Sequence, residues 1–193
     1  THGRGIIIID DISPLREINN ESLSQKLYFF KDDNYIISDL GGFADSFGRE
    51  TQFFGPNSTL SAQIKYLLPK RHTFGKMTME IFDENGKSVI NLSPGKSKGM
   101  NFVSWNYRMK QPKVAKGKTL ARGGLSSPRV KEGRYELVIT KGKDSFTKSI
   151  YIKDDPNTDL DADEKKLKHD TTMKLYNLSE ELAYTVYTID EIL

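Results

Sequence analysis

The sequence of 193 residues has no cysteine, a single tryptophan and no long apolar run. Without cysteine, a disulfide framework, thiolate metal sites and cysteine nucleophiles are all excluded. No apolar stretch approaches the roughly 20 residues of a membrane helix, so the sequence predicts no membrane span. Gly-x-Ser-x-Gly is absent, and the three histidines show neither HxH nor HExxH spacing. We therefore predict that this stretch of chain is not itself an enzyme and expect no cofactor.

Acidic residues are missing from one long interval. Between Glu84 and Glu132 there is no Asp or Glu, while eleven Lys and Arg residues fall in the same stretch. Since the net charge of the whole chain is only +3, the middle of the chain is distinctly cationic. Such a region could attract an anionic polymer with salt-sensitive affinity. The candidate anionic-ligand patch consists of Arg108, Lys110, Lys113, Lys116, Lys118 and Arg122.

Aromatic residues are absent from that patch. Nothing between Arg108 and Arg122 can stack on a base or a sugar, and Tyr107 is the single neighbouring aromatic residue. This argues against a nucleic-acid partner and weakens a carbohydrate partner. Solvated loop charge is the simpler explanation of the pattern.

Short alternating segments joined by turn residues fill the centre of the chain. Asn85-Gly86 supplies the positive φ values of a tight hairpin, and Trp105 is predicted at the middle of the core. The strand of Trp105 alternates so that both of its faces are expected to be partly buried. Connections through turns rather than crossover helices favour an antiparallel sandwich. The predicted strands are 26–30, 35–38, 61–68, 76–82, 88–92, 99–108, 133–140 and 145–153.

The two ends of the chain differ from this pattern. Residues 5–12 contain four consecutive isoleucines with no hairpin partner nearby, so this strand is expected to belong to a sheet formed by upstream sequence. Since the sequence opens on Thr1 without a Met and closes within a helical pattern, we expect it to be a fragment.

Apolar residues recur every three or four positions near the C-terminus and predict a helix of about 30 residues. Asp161 or Asp163 is suited to cap it. The stripe must pack on the sandwich, on a continuation of the chain as a helical hairpin, or on another protein chain. It consists of Leu167, Thr171, Leu175, Leu178, Leu182, Val186, Ile189 and Leu193.

Carboxylates near the start of this helix have partial calcium-loop spacing. Asp159, Asp161 and Asp163 match the first ligands, but Glu164 stands where the turn needs Gly and Asp170 where the loop needs Glu. Helix capping accounts for these carboxylates better than a metal does. The Asp10-Asp11 and Asp154-Asp155 doublets point to opposite faces of a strand, so neither is a working glycosidase pair.

Three motifs together resemble the immunoglobulin-like module of the flagellar hook-capping protein, which also occurs C-terminally in secreted Bacteroidetes proteins. They are Ile-Phe-Asp-Glu-Asn-Gly-Lys at 81–87, Gly-Met-Asn-Phe-Val-Ser-Trp-Asn at 99–106 and Glu-Gly-Arg-Tyr-Glu-Leu at 132–137. Asn106 stands where that family has Asp, and Glu132 where it has Pro.

The opening is similar to the closing strand and exit segment of BNR-repeat, sortilin-like β-propellers, often labelled glycosyl hydrolases. Thr-His-Gly-Arg-Gly-Ile at 1–6 and Asp-Asp-Ile-Ser-Pro-Leu-Arg at 10–16 carry the similarity, and 57–68 matches the next family strand in part. The family's Pro and second Gly are absent there. The resemblance implies that residues 6–9 closed a propeller blade and that the propeller itself lies upstream.

The expected fold is therefore mainly β: an antiparallel immunoglobulin-like β-sandwich with an N-terminal leftover propeller strand and a long C-terminal α-helix. Its parts are 1–18, the last propeller strand and exit segment; 19–155, the sandwich; and 156–193, the helix. We expect a non-catalytic spacer, support or docking module of a large exported propeller protein. Two alternatives stay open: the C-terminal part of a glycoside-acting hydrolase, and a cationic module for anionic surface glycans.

Overall fold

The computed structural model describes residues 11–31, 35–37, 61–115, 127–156 and 158–192. This part of the chain is mainly β, with two sheets and a long C-terminal helix. The predicted strand at 6–9 lies outside the described residues. The strands are β1 Tyr28–Phe29, β2 Tyr35–Ile37, β3 Ala62–Leu68, β4 Met77–Asp83, β5 Ser88–Leu92, β6 Gly99–Trp105, β7 Gly133–Lys141 and β8 Asp144–Asp154. The helices are α1 Ser13–Arg16, α2 Asn20–Ser24 and α3 Ala162–Ile192.

The smaller sheet has the order β1-β3-β6, and the larger has the order β2-β8-β7-β4-β5. Their buried side chains form one shared core, so the arrangement is that of a β-sandwich. The prediction of a wholly antiparallel fold is wrong at one place, because β2 pairs with β8 in parallel. The predicted strand 26–30 is also shorter than expected. Residues before it form α2, where Asn19 accepts from the Ser22 N–H at 2.9 Å in a capping box.

Trp105 lies in the core that the sandwich encloses, as the sequence predicted. Its side chain is 1% exposed, and its indole N–H donates to the Arg108 carbonyl at 2.9 Å. Tyr107 and Tyr135 pack against the ring at centroid distances of 5.6 and 6.3 Å. The expectation that both faces of β6 are partly buried holds on the opposite face only at Met100, which is half-buried, since Phe102 there is 57% exposed.

The β4–β5 hairpin confirms the turn predicted from Asn85-Gly86. Gly86 has φ 73°, a left-handed conformation that glycine adopts without steric cost. The Asp83 carboxylate accepts from the backbone N–H groups of Asn85 and Lys87, both at 2.9 Å. The side chain therefore satisfies donors that the tight turn leaves without strand partners.

The chain leaving β6 is tied to the segment before β7. Tyr107, buried and with φ 57°, accepts from the Val130 N–H at 2.8 Å, and the Met109 N–H donates to Pro128 at 2.9 Å. Lys110 N–H donates to Val89 in β5 at 2.8 Å. These backbone bonds fix Arg108 and Arg129 side by side at one end of the sandwich.

Helix α3 runs for 31 residues, close to the predicted length. Asp161 caps it as predicted: its carboxylate accepts from the Glu164 N–H at 2.9 Å, and Glu164 accepts in return from the Asp161 N–H at 3.1 Å. None of the described helices is long and apolar enough to span a membrane.

Candidate functional site

Helix α3 docks on the rest of the protein through a mostly polar and aromatic face. Tyr176, 8% exposed, is the most buried residue of the helix, and burial raises the pKa of its hydroxyl. Glu180 accepts from the Lys113 N–H at 3.2 Å, while the Lys113 ammonium lies 2.5 Å from the Tyr184 hydroxyl. Nearer the N-terminus of the helix, Lys165 pairs with Asp154 at 3.3 Å.

The opposite face of α3 is apolar and exposed. At 3.6 residues per turn its members fall within an arc of about 100°, whose centre lies about 150° from Tyr176. An amphipathic helix ordinarily turns its apolar stripe toward the core, and here the stripe points away from it. We call this surface the open face; its residues are 49–79% exposed and are Leu167, Leu175, Leu178, Leu182, Ile189 and Ile192.

The sequence left three possible packing surfaces for the apolar stripe: the sandwich, a continuation of the chain, or another protein chain. The exposed leucines of the stripe do not pack on the sandwich. Val186 is half-buried, and Leu193 lies outside the described residues. Sequence periodicity located the stripe, whereas the docking residue Tyr176 was missed. Its only signal was an aromatic residue on the polar side of the helix.

A cleft of about 590 Å³ lies between the first half of α3 and the end of the sandwich. Its sandwich wall includes Arg108, the segment 127–132 and the end of β8, and its helix wall runs from Lys165 to Ser179. Leu160 and Tyr176 give it an apolar part. The volume lies within the range of about 300–1,000 Å³ found for small-molecule sites.

Positive charge exceeds negative charge among the described residues that line this cleft. Its three carboxylates belong to Glu132, Asp154 and Asp155. Glu132 accepts from the Tyr151 hydroxyl at 3.1 Å, Asp154 pairs with Lys165, and Asp155 also has a partner. The five cations are Arg108, Arg129, Lys131, Lys165 and Lys168, and we call them the cleft cations.

The predicted anionic-ligand patch is divided by the structure. Arg108 lines the cleft, where its guanidinium donates to the Ser127 carbonyl. Lys110 is exposed, and Lys113 lies on the side of α3, with its ammonium 4.7 Å from the centre of the Tyr184 ring. The Tyr184 hydroxyl raises the pKa of Lys113. Lys116, Lys118 and Arg122 lie outside the described residues.

Sequence reasoning counted Arg129 and Lys131 in the acid-free stretch but left them out of the patch. Lys165 and Lys168 were missed altogether, because helical positions alone do not show that they face residues about 35 positions earlier. The sequence contained one indication that these lysines lie near the cationic stretch: that stretch directly precedes β7, and the helix follows β8.

The carboxylates and histidines considered from sequence lie in different parts of the fold, except that Asp154, Asp155 and His169 all line the cleft. Asp161 caps α3, and Asp11 pairs with Lys65 at 2.5 Å, which lowers the pKa of Asp11 to about 2. His72 lies between β3 and β4, and His169 lies at the cleft. In the described ranges no three His, Asp or Glu side chains are grouped to hold a metal ion.

Comparisons with protein-family models, with curated proteins and with solved structures each give no match. Geometry and charge define two candidate surfaces. They are the open face of α3 and the cleft behind the same helix. The first presents apolar area to a partner, and the second presents cations to a smaller ligand.

Proposed function

We propose that this chain is a non-catalytic support and docking module of a larger exported protein, in which a β-propeller precedes it. The immunoglobulin-like assignment belongs to this proposal. It is supported by the order of the three motifs, which fall on the β4–β5 hairpin, on β6 and at the start of β7. The similarity of the opening residues supports the upstream propeller and, through it, export.

The observation that carries the docking function is the open face. Six large apolar side chains stay 49–79% exposed along one helix, while the opposite side of that helix contacts the sandwich. Contiguous exposed apolar surface of this kind marks interaction sites. From Leu175 onward the intervals through Leu178, Leu182, Ile189 and Ile192 are three, four, seven and three residues, as in a helix–helix seam. The partner that fits is another amphipathic helix, and a second copy of this chain supplies one.

Sedimentation equilibrium over a range of micromolar concentrations tests this function. We expect the wild-type chain to associate as its concentration rises. The double variant Leu178→Gln with Leu182→Gln should weaken association at least tenfold, because burying a leucine contributes about 1.5–3 kcal/mol. Leu15→Gln with Leu23→Gln removes two similarly exposed leucines elsewhere and should leave association unchanged.

A wild-type chain that stays monomeric throughout that range contradicts docking between copies of this helix. If the Leu15 and Leu23 control weakens association equally, the association is non-specific and does not use a defined surface. The α-helical circular dichroism of each variant should match the wild type, which separates lost docking from lost folding.

A further inference from the structure

The cleft between α3 and the sandwich has the charge and the size of a ligand site, and it is distinct from the open face. We propose that it binds an organic oxyanion of about one or two sugar rings, held through carboxylate, sulfate or phosphate groups. This goes beyond the docking function, since it assigns a separate ligand to the other side of the same helix.

Charge is the first argument. The five cleft cations face three carboxylates, and each of those carboxylates already has a partner in the protein. Two positive charges are left in excess among the lining residues, and one of the five cations, Lys131, also pairs at 3.1 Å with Glu84 outside the lining. The space is partly enclosed, and its low-dielectric walls strengthen attraction for an anion. The cations need not be unpaired for this, because an ammonium has three donors and a guanidinium has five.

The cations come from two separate parts of the fold. Arg108, Arg129 and Lys131 are fixed by the backbone bonds between the loop after β6 and the segment before β7. Lys165 and Lys168 project from the first two turns of α3. An anion between these walls would therefore contact both the sandwich and the helix.

Size is the second argument. The volume of about 590 Å³ corresponds to about twenty water molecules, at about 30 Å³ each. An inorganic ion would fill a small part of that space. Leu160 and Tyr176 give the cleft apolar surface that the carbon skeleton of an organic ligand can cover. The combination favours a ring-sized body with charged substituents over a free ion.

Isothermal titration calorimetry at low salt tests the site with four probes. They are a sulfated uronate disaccharide, digalacturonate, neutral maltose and inorganic sulfate. We expect the two anionic disaccharides to bind with affinity that falls as salt increases, and maltose not to bind. The ratio of the two Kd values shows whether the cleft prefers sulfate or carboxylate groups.

The decisive variant is Lys131→Gln with Lys168→Gln, which removes one cation from each wall. Losing two charge-assisted hydrogen bonds should raise Kd at least tenfold. The matched control is Lys166→Gln with Lys174→Gln, which makes the same change in net charge on exposed positions of α3 outside the cleft. It should change Kd less than twofold.

Four outcomes would overturn the site: no binding of either anionic disaccharide at millimolar concentration, equal binding of maltose, binding of inorganic sulfate as tight as that of the disaccharides, or equal weakening in the control. The Leu178→Gln, Leu182→Gln variant should keep its ligand affinity. The ligand site in the cleft and the docking function of the open face can therefore be refuted independently.

Discussion

Replacing Trp105 by phenylalanine should destabilise the protein by about 3 kcal/mol. The indole is 1% exposed and donates to the Arg108 carbonyl at 2.9 Å. Leaving that carbonyl without its donor costs about 1–3 kcal/mol. Full truncation of a buried aromatic residue costs about 3–5 kcal/mol, so the smaller phenylalanine ring adds about 1–2 kcal/mol for the space it leaves.

Urea unfolding followed by far-ultraviolet circular dichroism measures this change, since the variant lacks the fluorescent indole. For a chain of this size about 3 kcal/mol corresponds to a fall in Tm of about 6–12 °C. The m value should be unchanged. Phe102→Leu is the matched control in the same strand, and its exposed ring should cost less than about 0.5 kcal/mol. A Trp105→Phe variant as stable as this control would refute the enclosed position of the indole.

Two further predictions concern single hydrogen-bonded groups. The buried Tyr66 hydroxyl donates to the Gly95 carbonyl at 2.7 Å, and burial raises its pKa to about 12. Because the folded value exceeds the ordinary 10, its stabilising contribution is complete below pH 10 and is lost as pH rises through 12. The urea midpoint should fall across that interval, less steeply in Tyr66→Phe; identical slopes would contradict this. Asp161→Ala removes the cap of α3 and should cost about 0.5–2 kcal/mol, with faster amide exchange in the first helical turn. Asp161→Asn keeps an acceptor and should retain protection, and loss in both variants equally would argue against capping.

Local chemistry made much of the fold predictable. Asn85-Gly86 determines a hairpin through its own backbone preferences, and the alternating Met77, Met79 and Ile81 are buried together in β4. The N-terminus of α3 was likewise predictable from its capping residue, Asp161. In these cases the signal lies within a few residues of the structure that it specifies.

Other features depend on distant partners and left little trace in the sequence. Strand β2 has three residues, too few to show whether its neighbour runs parallel or antiparallel. Phe102 looked like a core residue, but it lies on the face of β6 opposite to Val103 and Trp105, which enter the shared core, and it is exposed. For α3, apolar spacing identified a stripe, yet a buried tyrosine decides which side meets the sandwich.

The same limit applied to the candidate sites. Positive charge in the middle of the chain was evident, but the cleft cations combine that stretch with lysines of α3. Their meeting depends on how the helix returns along the sandwich after β8. No spacing rule within either segment contains that information.

The parallel pairing of β2 with β8 has a consequence for how the molecule forms. Ile37 and its partner Asp154 are separated by more than a hundred residues. At ribosomal speeds of about 5–20 residues per second, β2 waits about 5–20 s before its neighbour has been synthesised. Closure of the larger sheet is thus a late event of high contact order. The backbone groups of β2 stay unpaired until β8, the last strand, is available.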